Sequence, residues 1–164
     1  MRKFALLTVL LLFGLALFAQ ENRYEIKGEF SFSYPQGWQK VARPNAASEP
    51  EWLVMPGVAA MFRPVVGHGD SPLKKWVDES VKANATDKRV LLSRAEFVTA
   101  AGEKGVKLRW KSTTKSNTEL LLDEYYFTRN KGIQLQFTGV APFGEAETYE
   151  PVYDANMKSL VLEK

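Results

Sequence analysis

Residues 105–140 constrain the fold more than any other stretch of the chain. Val106, Leu108 and Trp110 alternate with Lys107, Arg109 and Lys111, and Ile133, Leu135 and Phe137 alternate with Gln134, Gln136 and Thr138. Period-two alternation puts one set of side chains on each face of a strand. Between these runs lies ELLLDEYYFTR, residues 119–129, rich in β-formers but less cleanly alternating. That pattern suits a strand covered on both faces. The links are Lys115-Ser116-Asn117-Thr118 and Asn130-Lys131-Gly132. Links this short join only antiparallel neighbours, because a parallel crossover needs about a dozen residues or more. A three-stranded antiparallel meander follows.

The rest of the chain fits around it. Phe30, Phe32 and Tyr34 alternate with Ser31 and Ser33, and residues 52–55, 59–65 and 90–97 are further strand candidates. Ser71-Pro72 predicts a helix start, with Ser71 as N-cap and Pro72 at the first helical position. Leu73, Trp76, Val77 and Val81 then share one face, and the helix stops near Asn84. A second helix carries Tyr149, Val152, Tyr153 and Met157 on one stripe. Pro151 is tolerated only in a first turn, which places the start near Thr148. A short strand over 160–162 closes the chain. The predicted class is α+β: a mainly antiparallel sheet of about 6–8 strands, flanked by two or more helices.

The N-terminus reads as an export signal. Arg2 and Lys3 precede sixteen uncharged residues, 4–19, ending in Ala19. That run is shorter than the ~20 apolar residues of a membrane span. The expected organisation is a signal peptide over 1–19, removed to leave one domain over 20–164 in the periplasm or outside the cell. No stable membrane insertion is expected after its removal. Without Arg2 and Lys3, the 22 Lys+Arg fall to 20 against 19 Asp+Glu. A near-neutral domain without basic runs gives no basis for binding nucleic acid. There are no cysteines, which excludes thiol catalysis, thiolate metal sites and disulfides.

Three local patterns resemble one family. Phe30-Ser31-Phe32-Ser33-Tyr34-Pro35-Gln36-Gly37-Trp38 resembles the opening strand and YP-x-GW turn of the PsbP-like group, which includes DcrB-type periplasmic and Mog-type Ran-binding proteins. The 105–140 meander, ending Thr138-Gly139-Val140-Ala141-Pro142, is similar to its central hairpins. Tyr149-Glu150-Pro151-Val152-Tyr153, then Met157-Lys158-Ser159-Leu160, resembles its C-terminal helix and closing strand. The resemblance implies a PsbP-like sandwich with helices on both sheet faces, and action by binding other proteins rather than by catalysis. The residues agree with that architecture: Pro35 ends a strand, Gly37 allows a tight turn, and Trp38 folds back as a core anchor.

Candidate chemistry is sparse. His68, the only histidine, stands in Gly67-His68-Gly69-Asp70 and could serve as a base oriented by Asp70. The competing reading is a polar loop. There is no G-x-S-x-G elbow, phosphate loop or dinucleotide fingerprint. Asp123 and Glu124 point to opposite faces of a strand and cannot form a dyad. Lys107, Arg109 and Lys111 form a basic stripe, either a patch for an acidic partner or a face neutralised by Asp123 or Glu124. Trp52, Trp76, Trp110, Tyr125, Tyr126 and Phe127 could line a groove but more often such residues are core. No catalytic, metal or cofactor residue is assigned. The expected function is that of an exported accessory protein binding an envelope or secreted partner, through the loops at 42–51 and 66–70. The alternative is a small-ligand carrier or a hydrolase with a site near His68.

Overall fold

The computed structural model describes residues 22–42, 50–129 and 132–163. The expected signal peptide and most of the 42–51 loop lie outside them. The strands are β1 (Asn22–Ile26), β2 (Phe30–Tyr34), β3 (Gln39–Val41), β4 (Trp52–Val54), β5 (Met61–His68), β6 (Arg89–Val98), β7 (Lys104–Thr113), β8 (Glu119–Arg129), β9 (Ile133–Pro142) and β10 (Val161–Leu162). Helix α1 (Leu73–Asn84) follows β5, and α2 (Ala146–Lys158) follows a 3-10 turn, Phe143–Glu145. Two antiparallel sheets form, ordered β1-β2-β10 and β3-β4-β5-β9-β8-β7-β6. The class is α+β as expected, with ten strands among the described residues where the sequence predicts about 6–8.

The meander forms as its alternation requires, with Leu108 opposite Glu124 and Phe127 opposite Leu135. Both faces of the large sheet are covered. On one lies the main core, where Phe62, Tyr125, Phe127, Leu135 and Phe137 meet β2 aromatics and the α2 residues Tyr149, Tyr153 and Met157. On the other, Val77 of α1 packs with Leu108, Trp110 and Tyr126, and Leu73, Trp76 and Val81 border them. Gly37 takes the left-handed φ of +89° in the turn after Pro35, and Trp38 is buried behind it.

Both helix starts differ from expectation. Pro72 is the N-cap of α1, and its carbonyl accepts from the Trp76 N–H at 3.0 Å. The helix therefore begins one residue later, and no side chain caps it. Helix α2 begins at Ala146, two residues early, and Pro151 sits past the first turn. Proline there leaves the Glu147 carbonyl without its helical donor. Glu147 and Pro151 are both exposed, so water can satisfy that carbonyl.

Helix α2 sits close because Gly139 lies beneath it. A Cβ there would run into the Tyr153 ring. That ring is fully buried, and its hydroxyl donates to the Val140 carbonyl at 2.6 Å. Gly139→Ala is expected to cost about 1–3 kcal/mol by overpacking. The loss would be read as a lower urea midpoint at unchanged slope. An unchanged midpoint would mean that the ring can withdraw.

Candidate functional site

The basic stripe is not an open patch. Lys107 and Arg109 of β7 point under α2. Arg109 donates twice to Asp123, at 2.9 and 3.0 Å, and pairs with Glu150 of α2. Lys107 reaches Asp154 at 2.6 Å, Glu150 at 3.3 Å and Asp123 at 3.5 Å. Tyr125 donates to Asp154 at 2.5 Å, and burial pushes its hydroxyl far above its ordinary range. Lys111, at the open end, pairs with Glu119 at 2.6 Å. The stripe is thus neutralised internally, by Asp123 as expected and also by two α2 acids. Glu124 is on the opposite face.

The hydrogen bond from Arg109, more than the charge of Lys107, holds the Glu150 carboxyl below its ordinary range. A carboxyl with a lowered folded value contributes stability that is complete above its unfolded value, about 4.3. That contribution is lost as pH falls through the folded value. Glu150→Gln should therefore be less stable than wild type near pH 7, and the gap should close below about pH 4. Urea titrations across pH would show this, and a gap that persists in acid would contradict it.

Under α1 lies a second network. The buried Glu124 accepts from Arg89 at 2.6 Å, Trp110 Nε1 at 2.9 Å, the Tyr126 hydroxyl at 2.8 Å and Gln136 at 3.2 Å. Ser80 of α1 meets the Tyr126 hydroxyl at 2.8 Å, and Asn84 accepts from Arg89 at 3.2 Å. These bonds tie the helix to the sheet. The carboxylate is fully occupied and has no exposed approach.

Residues 66–68 are the end of β5, not a loop. His68 pairs with Ile133 along the backbone, and both His68 and Asp70 are exposed. The pairing of β5 with β9 overrides the local glycines. Among the described residues no acidic, histidine or cysteine cluster could hold a metal. The aromatics divide as well. Tyr125 and Phe127 lie in the main core, while Trp110 and Tyr126 lie under α1, and half-buried Trp76 belongs to α1 itself and packs against them. Trp52 stacks under Arg63, 5.9 Å from its ring. They line no common groove.

A groove of about 630 Å³ exists elsewhere, where α1 stops covering the sheet. Leu73 and Lys74 of α1 wall one side, and Arg94, Glu96 and Val98 of β6, with Lys104 and Val106 of β7, form its floor. Its rim is charged: Lys74 and Arg94 converge on Asp78, at 2.9 and 2.6 Å. Strand β6 is also the free edge of the large sheet, with Val90, Leu92 and Val98 exposed. The strand candidate at 90–97 was legible in the sequence, but its place at the edge was not.

No family model matches the chain, and no curated protein does. Solved structures do. The cyanobacterial PsbP, CyanoP, from Synechocystis is 16% identical, with a TM-score of 0.65 over 88% of this chain and 93% of its own. LpqN of Mycobacterium tuberculosis, described as involved in cell envelope biogenesis, is 12% identical, with a TM-score of 0.67 over 88% and 91%. The Saccharomyces cerevisiae Ran-binding protein Mog1p is 10% identical, with a TM-score of 0.61 over 88% and 96%. Sheet order, helices on both faces and these likenesses agree: the chain has the PsbP-like fold.

Proposed function

We propose that the protein is a non-enzymatic accessory protein that binds another protein of the cell envelope. The observation that carries this is how its polar side chains are used. Asp123, Glu124, Lys107, Arg109 and Arg89 are committed to internal pairs that hold the helices. Among the described residues, a groove with a partly apolar lining and a charged rim stays open, which suits a polypeptide. Among the described residues no hydrogen bond or ion pair joins His68 to another side chain, so the geometry lends hydrolysis no support. The groove also replaces the 66–70 segment as the favoured contact surface.

Export is part of this reading. The sequence pattern of residues 1–19 supports it, and β1 starts at Asn22, so cleavage after Ala19 would remove nothing from the described sheets. No helix among the described residues is long and apolar enough to cross a membrane. CyanoP and LpqN share the fold and LpqN is described in an envelope role, which is consistent.

Cross-linked capture of C-terminally tagged protein from fractionated cells tests both parts. The expected result is a stoichiometric envelope partner and a mature N-terminus near Gln20. A chain recovered alone with residues 1–19 attached would overturn the reading.

A further inference from the structure

The free edge of β6 has a pattern that selects its own copy. Which backbone groups face outward follows from the bonds at its end. Thr99 donates its N–H to the Glu103 carbonyl at 3.0 Å and accepts from the Gly102 N–H at 3.1 Å, so Thr99 faces β7. The Val98 carbonyl accepts from Lys158 Nζ at 2.6 Å, and the Ala100 N–H donates to the Lys158 carbonyl at 2.7 Å, so these face away. Backbone groups alternate along a strand, so Arg94 and Glu96 also present theirs outward. No described residue bonds them.

The usable edge is short and has a definite centre. The regular β6–β7 ladder is broken by a bulge between Leu91 and Ser93. At the other end Lys158 occupies Val98. Residues 93–97 remain, and their midpoint is Ala95.

We propose that β6 pairs antiparallel with β6 of a second copy of this chain, about a two-fold axis at Ala95. Arg94 of each copy then lies opposite Glu96 of the other, on the same sheet face. The backbones of these two pairs supply four N–H to C=O bonds. The small Ala95 side chain sits at the axis, where opposed residues come closest. Leu92 and Val98, exposed at 47% and 42%, lie just beyond the paired stretch at both ends. Centring the axis on Arg94 or Glu96 would instead set like charges opposite, which is unfavourable. Arg94 keeps Asp78 on Nη1, and Glu96 has no ion pair among the described residues. Charges and a bulge usually protect an edge from pairing. Here the bulge only limits the length, and the two opposite charges are self-complementary.

The axis is perpendicular to the sheet, so both α1 helices stand on one side and the two grooves join into one trough. The dimer rests on the edge and not on an envelope partner, so each reading can fail without the other. An interface below about 1,200 Å² gives weak association, on the order of 100 μM.

Sedimentation equilibrium of the purified chain, from about 10 to 500 μM, tests the proposal. Wild type should approach twice its monomer mass. Arg94→Glu and Glu96→Arg should each weaken the dimer roughly tenfold, because each sets like charges opposite. An equal mixture of the two variants should restore it. One copy then presents an acid at both positions and the other a guanidinium at both, so each cross-strand pair is again of opposite charge. Circular dichroism would show that both variants keep the fold. A wild-type chain that stays monomeric to 500 μM overturns the proposal, as does a dimer indifferent to both variants. A monomer whose edge instead binds a different polypeptide also overturns it.

Discussion

Glu124→Ala should lower stability by about 3–5 kcal/mol, the range for removing one partner of a buried charge network. Arg89, Trp110, Tyr126 and Gln136 would all lose their bond to Glu124 at once, leaving Arg89 with Asn84 and Gln136 with the Tyr126 hydroxyl. Arg89 would be left partly buried beside the Trp110 ring, 4.9 Å from its centroid. A loss of that size is a large part of a typical domain's total stability. Urea denaturation would measure it, with near-ultraviolet dichroism reporting Trp110 and Trp76. The tie of α1 to the sheet through Tyr126 and Ser80 should loosen at the same time. A loss under about 1 kcal/mol would show that water fills the site and that the network is not structural.

Asp123→Ala should cost about 3 kcal/mol, at the low end of that range. Asp123 is fully buried and takes both Arg109 bonds. The loss is moderated because Glu150 still reaches Arg109 and Asp154 still reaches Lys107. A double-mutant cycle with Glu150→Gln checks that explanation. The two losses should combine to more than their sum, since each acid partly replaces the other. Simple additivity would mean that the two acids act independently.

The meander was legible because alternation and short links leave one topology open, and β7, β8 and β9 follow it. The apolar faces of both helices were legible for the same reason. Strands β1 and β3 were not. β1 buries only Tyr24 fully, and all three residues of β3 are exposed, so neither carries a periodic signal. His68 looked like a loop residue because Gly67 and Gly69 flank it. Only the register with Ile133 shows that it ends a strand.

The internal partners of the basic stripe were half legible. Asp123 was available as a cross-strand neighbour. Glu150 and Asp154 are spaced by four on α2, one position from the apolar stripe, so they border whatever the helix covers. The sequence does not say which sheet face that is. The groove was hidden for a related reason. It exists because α1 covers Trp110 and Tyr126 but leaves Val98 exposed beside it, and helix placement cannot be read from periodicity.

The most direct test of the central claim compares two surface variants in partner capture from envelope fractions. Lys104→Glu changes the groove and His68→Ala removes the histidine; His68 is exposed, and neither side chain has a described hydrogen bond or ion pair. Lys104→Glu should lose the partner at unchanged stability while His68→Ala should retain it. Loss with His68→Ala and retention with Lys104→Glu would contradict it and return the site to the end of β5.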